Sequence, residues 1–103
     1  MYKLLLFVCF CLPAAAVRAQ AMPDPVKKVS NKYACGACHA VDMRLVGPSW
    51  KTLAAKGYTA KKMGQLIRKP KPGNWPDYPP MTPIAQISDE DVKVIADWLA
   101  TLQ

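Results

Sequence analysis

The chain has 103 residues, 51% of them hydrophobic, with 14 Lys and Arg against 7 Asp and Glu, four Cys and a single His. That length allows one domain with one modest core. The basic excess is not interleaved with stacking aromatics, which argues against a nucleic-acid surface; an acidic protein partner or an anionic membrane surface suits it better.

Residues 1–21 read MYKLLLFVCFCLPAAAVRAQA: Lys3, an apolar run from Leu4 to Leu12, a break at Pro13, and small residues ending in Ala19-Gln20-Ala21. This is the layout of a secretory signal peptide, cleaved after Ala19 or Ala21. The apolar run falls short of the roughly 20 residues a membrane-spanning helix needs, so no stable membrane insertion is expected after cleavage. The stretch LFVCFC lacks the small side chains that precede a lipoprotein cleavage site. Processing would leave one domain over residues 22–103, with 12 basic residues against 7 acidic and only Cys35 and Cys38. In the oxidising periplasm two thiols so close would pair unless something occupied them.

The mature part begins with a helix: Asp24 as its cap, Pro25 at its first position, then Val26, Val29 and Tyr33 at helical spacing, running on into Cys35. A second, short helix has Trp50, Leu53 and Ala54 on its apolar face and stops at Gly57. Thr59 caps a third, in which Ala60, Met63, Leu66 and Ile67 share a face while Lys61, Lys62, Arg68 and Lys69 sit mostly off it. The prolines of KPKPGNWPDYPPMTP exclude regular helix and central strand and imply an extended loop. Ser88 and Asp91 form a capping box for a closing helix carrying Val92, Ile95, Ala96, Leu99 and Leu102. With no run of alternating β-branched residues, the fold class is all-α, three to four short helices joined by long loops.

The chemistry concentrates in KYACGACHAV, where Cys35, Cys38 and His39 stand at i, i+3 and i+4. On a helical segment all three side chains leave from one face. Two thiols one turn apart can add to the two vinyl groups of a haem while the neighbouring imidazole reaches the iron, and CxxCH is the c-type haem attachment signature. Gly36 and Ala37 leave room for the macrocycle. A thiol-disulfide oxidoreductase would place such a pair at the head of a helix in a strand-helix-strand setting, which the sequence lacks. A zinc site would need a fourth ligand, and the mature chain has no further Cys or His.

On these residues the sequence resembles the class I c-type cytochromes, in particular the short single-haem bacterial branch of cytochrome c-551 type. The resemblance rests on CGACH, on LVGPSWKTLAAK after it, on the Pro-rich loop with Trp75 and PPM, and on the closing SDEDVKVIADWLATL. It implies the cytochrome c fold around one covalent haem c, with His39 and Met81 as axial iron ligands. It also implies that the Pro48 carbonyl accepts a hydrogen bond from the free ring nitrogen of His39, and that the Trp75 indole reaches a haem propionate; read alone, Gly47-Pro48 is a turn and Trp75 a core aromatic. Met43 lies too close to the attachment segment to cross the ring, and Met63 reads as core. Arg68 would either offset propionate charge or sit on a solvated helix face, and Trp50 and Trp98 read as packing residues. The chain departs from the family in two places: Trp75 and Met81 stand one residue farther apart, and Ile84 falls where some members carry an asparagine.

His/Met ligation fills both axial positions, leaving one-electron transfer as the chemistry, so the expected function is an electron carrier and not an enzyme. The expected form is a monomeric periplasmic shuttle between a membrane respiratory complex and a terminal reductase, oxidase or peroxidase. Lysines such as Lys51, Lys56 and Lys62 near the haem edge would steer it to acidic patches on redox partners. The alternatives are a dedicated cytochrome subunit of a larger dehydrogenase, an open-site haem sensor or enzyme, and a thiol oxidoreductase.

Overall fold

The computed structural model describes residues 10–13 and 22–103; apart from residues 10–13, the signal peptide expected over residues 1–21 lies outside the described residues. Helix α1 spans Asp24–Lys32, α2 Trp50–Ala54, α3 Ala60–Arg68 and α4 Asp89–Ala100, with 3₁₀ turns at Cys35–Ala37 and Pro72–Asn74. Among the described residues no strand forms; a lone antiparallel bridge joins His39 and Arg44. The architecture is all-α, as the apolar periodicities imply. Among the described residues no helix is long and apolar enough to cross a membrane.

Helix α4 is the common partner of the other three. The Ser88 hydroxyl accepts from the Asp91 amide at 3.1 Å, and Asp89, Glu90 and Asp91 occupy the first turn, where free N–H groups and the helix dipole favour negative charge. Its buried face is Val92, Ile95, Trp98 and Leu99, against which α1, α2 and α3 each pack. Val92 and Ile95, each 2% exposed, contribute about 1.5–3 kcal/mol apiece by burial. From the other side come Val26 and Val29 of α1, Trp50 and Ala54 of α2, and Met63 of α3. Gly64 lets α3 close on α4: a Cβ there would stand 3.6 Å from both Val92 methyls and 3.0 Å from Arg68 Nη1.

The shorter helices are set by their caps. Ser49 Oγ accepts from the Thr52 amide and Thr59 Oγ1 from the Lys62 amide, each at 3.1 Å. Past the end of α2, Gly57 takes φ +63° and donates to the Ala54 carbonyl at 3.0 Å, a left-handed position that costs glycine least.

Three expectations need correction. Asp24 does not cap α1; Pro23 precedes the helix without a side-chain cap, and Asp24 sits in the first turn, where its charge still faces the positive end of the dipole. Nor does α1 continue into Cys35. The Tyr33 hydroxyl donates to Asp91 Oδ2 at 2.6 Å and Lys32 Nζ to the same oxygen at 3.0 Å, fastening the end of α1 to α4. Ala34 then turns left-handed at φ 55°, ending the helix and starting the cysteine segment in a new direction. Finally, Arg68 neither faces the site nor lies free on a helix surface. Its Nε and Nη2 donate to the Ile87 carbonyl at 3.2 and 2.8 Å, and Nη2 to Asp89 at 2.7 Å, which anchors the far end of the Pro-rich loop.

Candidate functional site

A cavity of about 480 Å³ opens between the attachment segment, α3, α4 and the Pro-rich loop, within the size range of cofactor sites. Cys35, Cys38 and His39 lie on one side of it and Trp75, Tyr78 and Met81 on the loop side; Met63, Leu66, Ile67, Ile95 and Leu99 supply apolar wall. Sequence reasoning missed this second use of the α3 face, because apolar periodicity looks the same whether a face covers protein or a flat apolar cofactor.

The three attachment residues are gathered by one carbonyl. Cys35 O accepts from the Cys38 amide at 3.2 Å and the His39 amide at 3.0 Å, so the segment is a tight 3₁₀ turn and not the α-helix the spacing suggests. Both thiols are free and partly buried. Burial pushes the Cys35 thiol above its ordinary value, opposed by a backbone hydrogen bond and reinforced slightly by Cys38. A redox-active dithiol needs the opposite shift, and a three-residue turn offers it no helix dipole.

His39 is oriented by a 2.7 Å bond between Nδ1 and the Pro48 carbonyl. A carbonyl only accepts, so the ring proton is on Nδ1 and the Nε2 lone pair is left for a metal. Burial pulls the imidazole below its ordinary value, with the Pro48 bond opposing, which keeps the ring neutral as a ligand must be. The ring packs on Trp50 at 4.9 Å between centroids, and Trp50 meets Trp98 edge-on at 5.8 Å, which ties the ligand to the core. Gly47 supplies space: a Cβ there would lie 2.7 Å from His39 Cε1. Its functional need was not visible in a Gly-Pro dipeptide that also reads as an ordinary turn.

Of the methionines, Met81 and Met63 line the cavity. Met63 is buried at 7% exposure as part of the core, while Met81 is 38% exposed on the proline-stiffened loop. Met43 is 59% exposed and does not line the cavity. Trp75 is half-buried on the cavity wall, edge-on to Tyr78. Lys51, Lys56 and Lys62 are all exposed, with Lys56 Nζ 4.9 Å over the Trp75 ring; Lys71, not anticipated, lines the cavity itself.

Among the described residues no three His, Cys, Asp or Glu side chains gather around a metal. One imidazole and a thioether instead suit a metal that arrives with its own equatorial ligands. The apolar walls, two free thiols beside the imidazole, and a Trp50 indole N–H buried without a partner fit a haem, whose carboxylates and ring can fill what the chain leaves open.

The cytochrome c family model matches residues 24–103, and the chain belongs to the cytochrome c family. Within it the site is that of a class I, single-haem c-type cytochrome carrying one covalent haem c, with Cys35 and Cys38 in the CxxCH position; electron transfer is the work of this family. Cytochrome c-552 of Nitrosomonas europaea is 38% identical over 98 residues, spanning 91% of this chain and 92% of that one. Cytochrome c-551 of Pseudomonas denitrificans is 43% identical over 75 residues, 68% of this chain and 88% of that one. The crystal structure of the wild-type Nitrosomonas europaea cytochrome c552 matches with a TM-score of 0.65 at 36% identity, covering 75% of this chain and 99% of its own.

Proposed function

We propose that the protein is exported to the periplasm with loss of residues 1–21 and there shuttles single electrons between a membrane respiratory complex and a terminal reductase, oxidase or peroxidase. The observation that carries this reading is the His39 Nδ1 to Pro48 bond, which leaves a neutral imidazole with a free Nε2 beside a cavity that Met81 also lines. The haem, when bound, supplies a one-electron iron couple. Cys35 and Cys38 would hold it through thioethers, and His39 and Met81 would serve as its iron ligands. With both side chains engaged as ligands, the chemistry the site would offer is one-electron exchange with a partner. The Met81 thioether and the apolar walls would both favour the less charged, reduced state of the bound group. The Pro48 carbonyl keeps the His39 ring proton on Nδ1 and its Nε2 available as a ligand.

Lys71 on the cavity lining and Lys56 over the Trp75 ring favour brief, steered contact with acidic patches on redox partners. The test uses the native protein from the periplasmic fraction. Membranes given a respiratory substrate should reduce it, soluble extract should reoxidise it, and the rate should fall as salt rises. Failure of membranes to reduce it, or elution of all the protein with one large dehydrogenase, overturns the shuttle.

A further inference from the structure

The stretch that carries Met81 is stiff but poorly anchored. Pro76, Pro79, Pro80 and Pro83 fix its local shape, and the Trp75 carbonyl accepts from the Tyr78 amide at 3.1 Å. Neither feature says where the loop sits relative to the rest of the protein. The tethers at its C-terminal side act beyond it, through the Ile84 amide to the Ile67 carbonyl and through Arg68 to Ile87. Apart from the local bond from the Trp75 amide to the Pro72 carbonyl, one hydrogen bond among the described residues ties residues 75–83 to another part of the molecule: Arg44 Nη2 donates to the Asp77 carbonyl at 2.6 Å.

Arg44 comes from the segment between the attachment turn and α2, where its backbone bridges to His39. Besides the bond to Asp77, its guanidinium carbon lies 3.9 Å from the Tyr78 ring centroid. Tyr78 meets Trp75 edge-on at 5.8 Å and 87°, and Lys56, just past α2, places its ammonium 4.9 Å over the Trp75 ring. Two cations from the histidine side thus grip two aromatic rings of the methionine loop. Both rings line the cavity and stand only three and six residues before Met81.

We propose that Arg44, seconded by Lys56, is a positioning residue that clamps the Pro-rich loop across the mouth of the haem cavity and so holds the Met81 sulfur in place. This role rests on Met81 being the axial ligand. The prolines set the shape of the loop and Arg44 sets its place. An arginine is needed because a planar guanidinium can stack on a ring and donate in its own plane at once, which an ammonium cannot.

The test compares ferric holoprotein variants by three readouts: the sulfur-to-iron absorption band, the affinity for added imidazole, and amide hydrogen exchange at Tyr78 and at Ile95 in α4. Arg44→Ala should raise imidazole affinity by about fivefold or more, from the loss of one exposed cation–π contact and one hydrogen bond. It should speed exchange at Tyr78 and leave Ile95 unchanged. Arg44→Lys should behave nearly like Arg44→Ala; Tyr78→Leu, which keeps the bond to the Asp77 carbonyl, should show a smaller rise in the same direction, and Tyr78→Phe should retain the parent's values. Combining Arg44→Ala with Tyr78→Leu should raise affinity by less than the product of the two single effects. If Arg44→Ala keeps the parent's imidazole affinity and Tyr78 exchange, the clamp is refuted; the same holds if Ile95 accelerates as much as Tyr78, since the effect is then global. If instead the parent itself lacks the sulfur-to-iron band, it is the Met81 assignment that fails.

Discussion

Adding one methyl group at Gly47 should dislodge the histidine. A Cβ there would stand 2.7 Å from His39 Cε1, 3.1 Å from Nδ1 and 3.3 Å from the Cys38 carbonyl oxygen, whereas carbon atoms pack best at about 3.5–4.0 Å. The backbone cannot back away, because the Gly47 amide donates to Cys38 O at 2.8 Å and its carbonyl accepts from Leu45 at 3.2 Å. Gly57 is the glycine with positive φ, so the problem at Gly47 is space and not conformation. The imidazole must therefore rotate away from Pro48. Losing that bond costs about 0.5–1.5 kcal/mol and the overpacking about 1–3 kcal/mol, together about 2–4 kcal/mol. For a domain of this size each kcal/mol shifts the thermal midpoint by about 4–8 °C, so Gly47→Ala should melt about 8–32 °C lower when ferric holoprotein is followed by its haem absorbance. Its reduction potential should rise, since an imidazole that no longer donates from Nδ1 is a weaker electron donor to the metal. Gly73→Ala, where a Cβ meets nothing within 4 Å, is the control. A Gly47→Ala protein that melts with the control and keeps the parent's potential would refute the account of how His39 is held.

Two further changes probe the other contacts. Met81→Ala should abolish the sulfur-to-iron band, open the ferric protein to imidazole and lower its potential substantially, while Met63→Leu leaves all three unchanged; an unaltered Met81→Ala spectrum would make Met63, the other cavity methionine, the next candidate. Asp91 is held below the ordinary carboxylate value, first by the Tyr33 hydroxyl and then by Lys32, so it stabilises the fold above that value and the contribution is lost as pH falls through the folded pKa. Asp91→Asn should therefore lower the urea midpoint at neutral pH and flatten its fall as pH drops below the ordinary carboxylate range; parallel curves for the two proteins would contradict the pairing.

What could be read from the sequence is what local chemistry decides. Ser88 and Asp91 lie three apart, so the start of α4 needs no distant partner, and the same holds for Thr59 at α3 and Gly57 after α2. The spacing of Cys35, Cys38 and His39 is likewise local, because haem attachment itself fixes it. Contacts across long stretches of chain were not readable. The end of α1 is decided by Asp91 far along the chain, Arg68 by the Ile87 carbonyl nineteen residues on, and the grip of Arg44 on Tyr78 by the place of the Pro-rich loop. Gly47 falls between: its residue type is visible, but the imidazole that forbids a Cβ comes from eight residues back.

The same limit explains why the core looks incomplete when counted from the protein alone. The buried cluster runs from α1 across α4 to Met63 and Trp50, and then stops at the wall of the 480 Å³ cavity. An empty apolar hole inside a protein costs about 24 cal/mol per Å³. Applied to the whole cavity, that is on the order of 11 kcal/mol, an upper bound because the mouth is open, yet comparable to the entire stability of about 5–15 kcal/mol that a small domain possesses. Side chains such as Leu66, Ile67 and Leu99 are therefore placed for an occupant, and the helices carrying them have no equally good way to close on one another. Covalent attachment resolves this: thioethers at Cys35 and Cys38 keep the occupant in the unfolded chain as well, so the apolar surface that completes the core is present at one-to-one ratio whenever the chain folds.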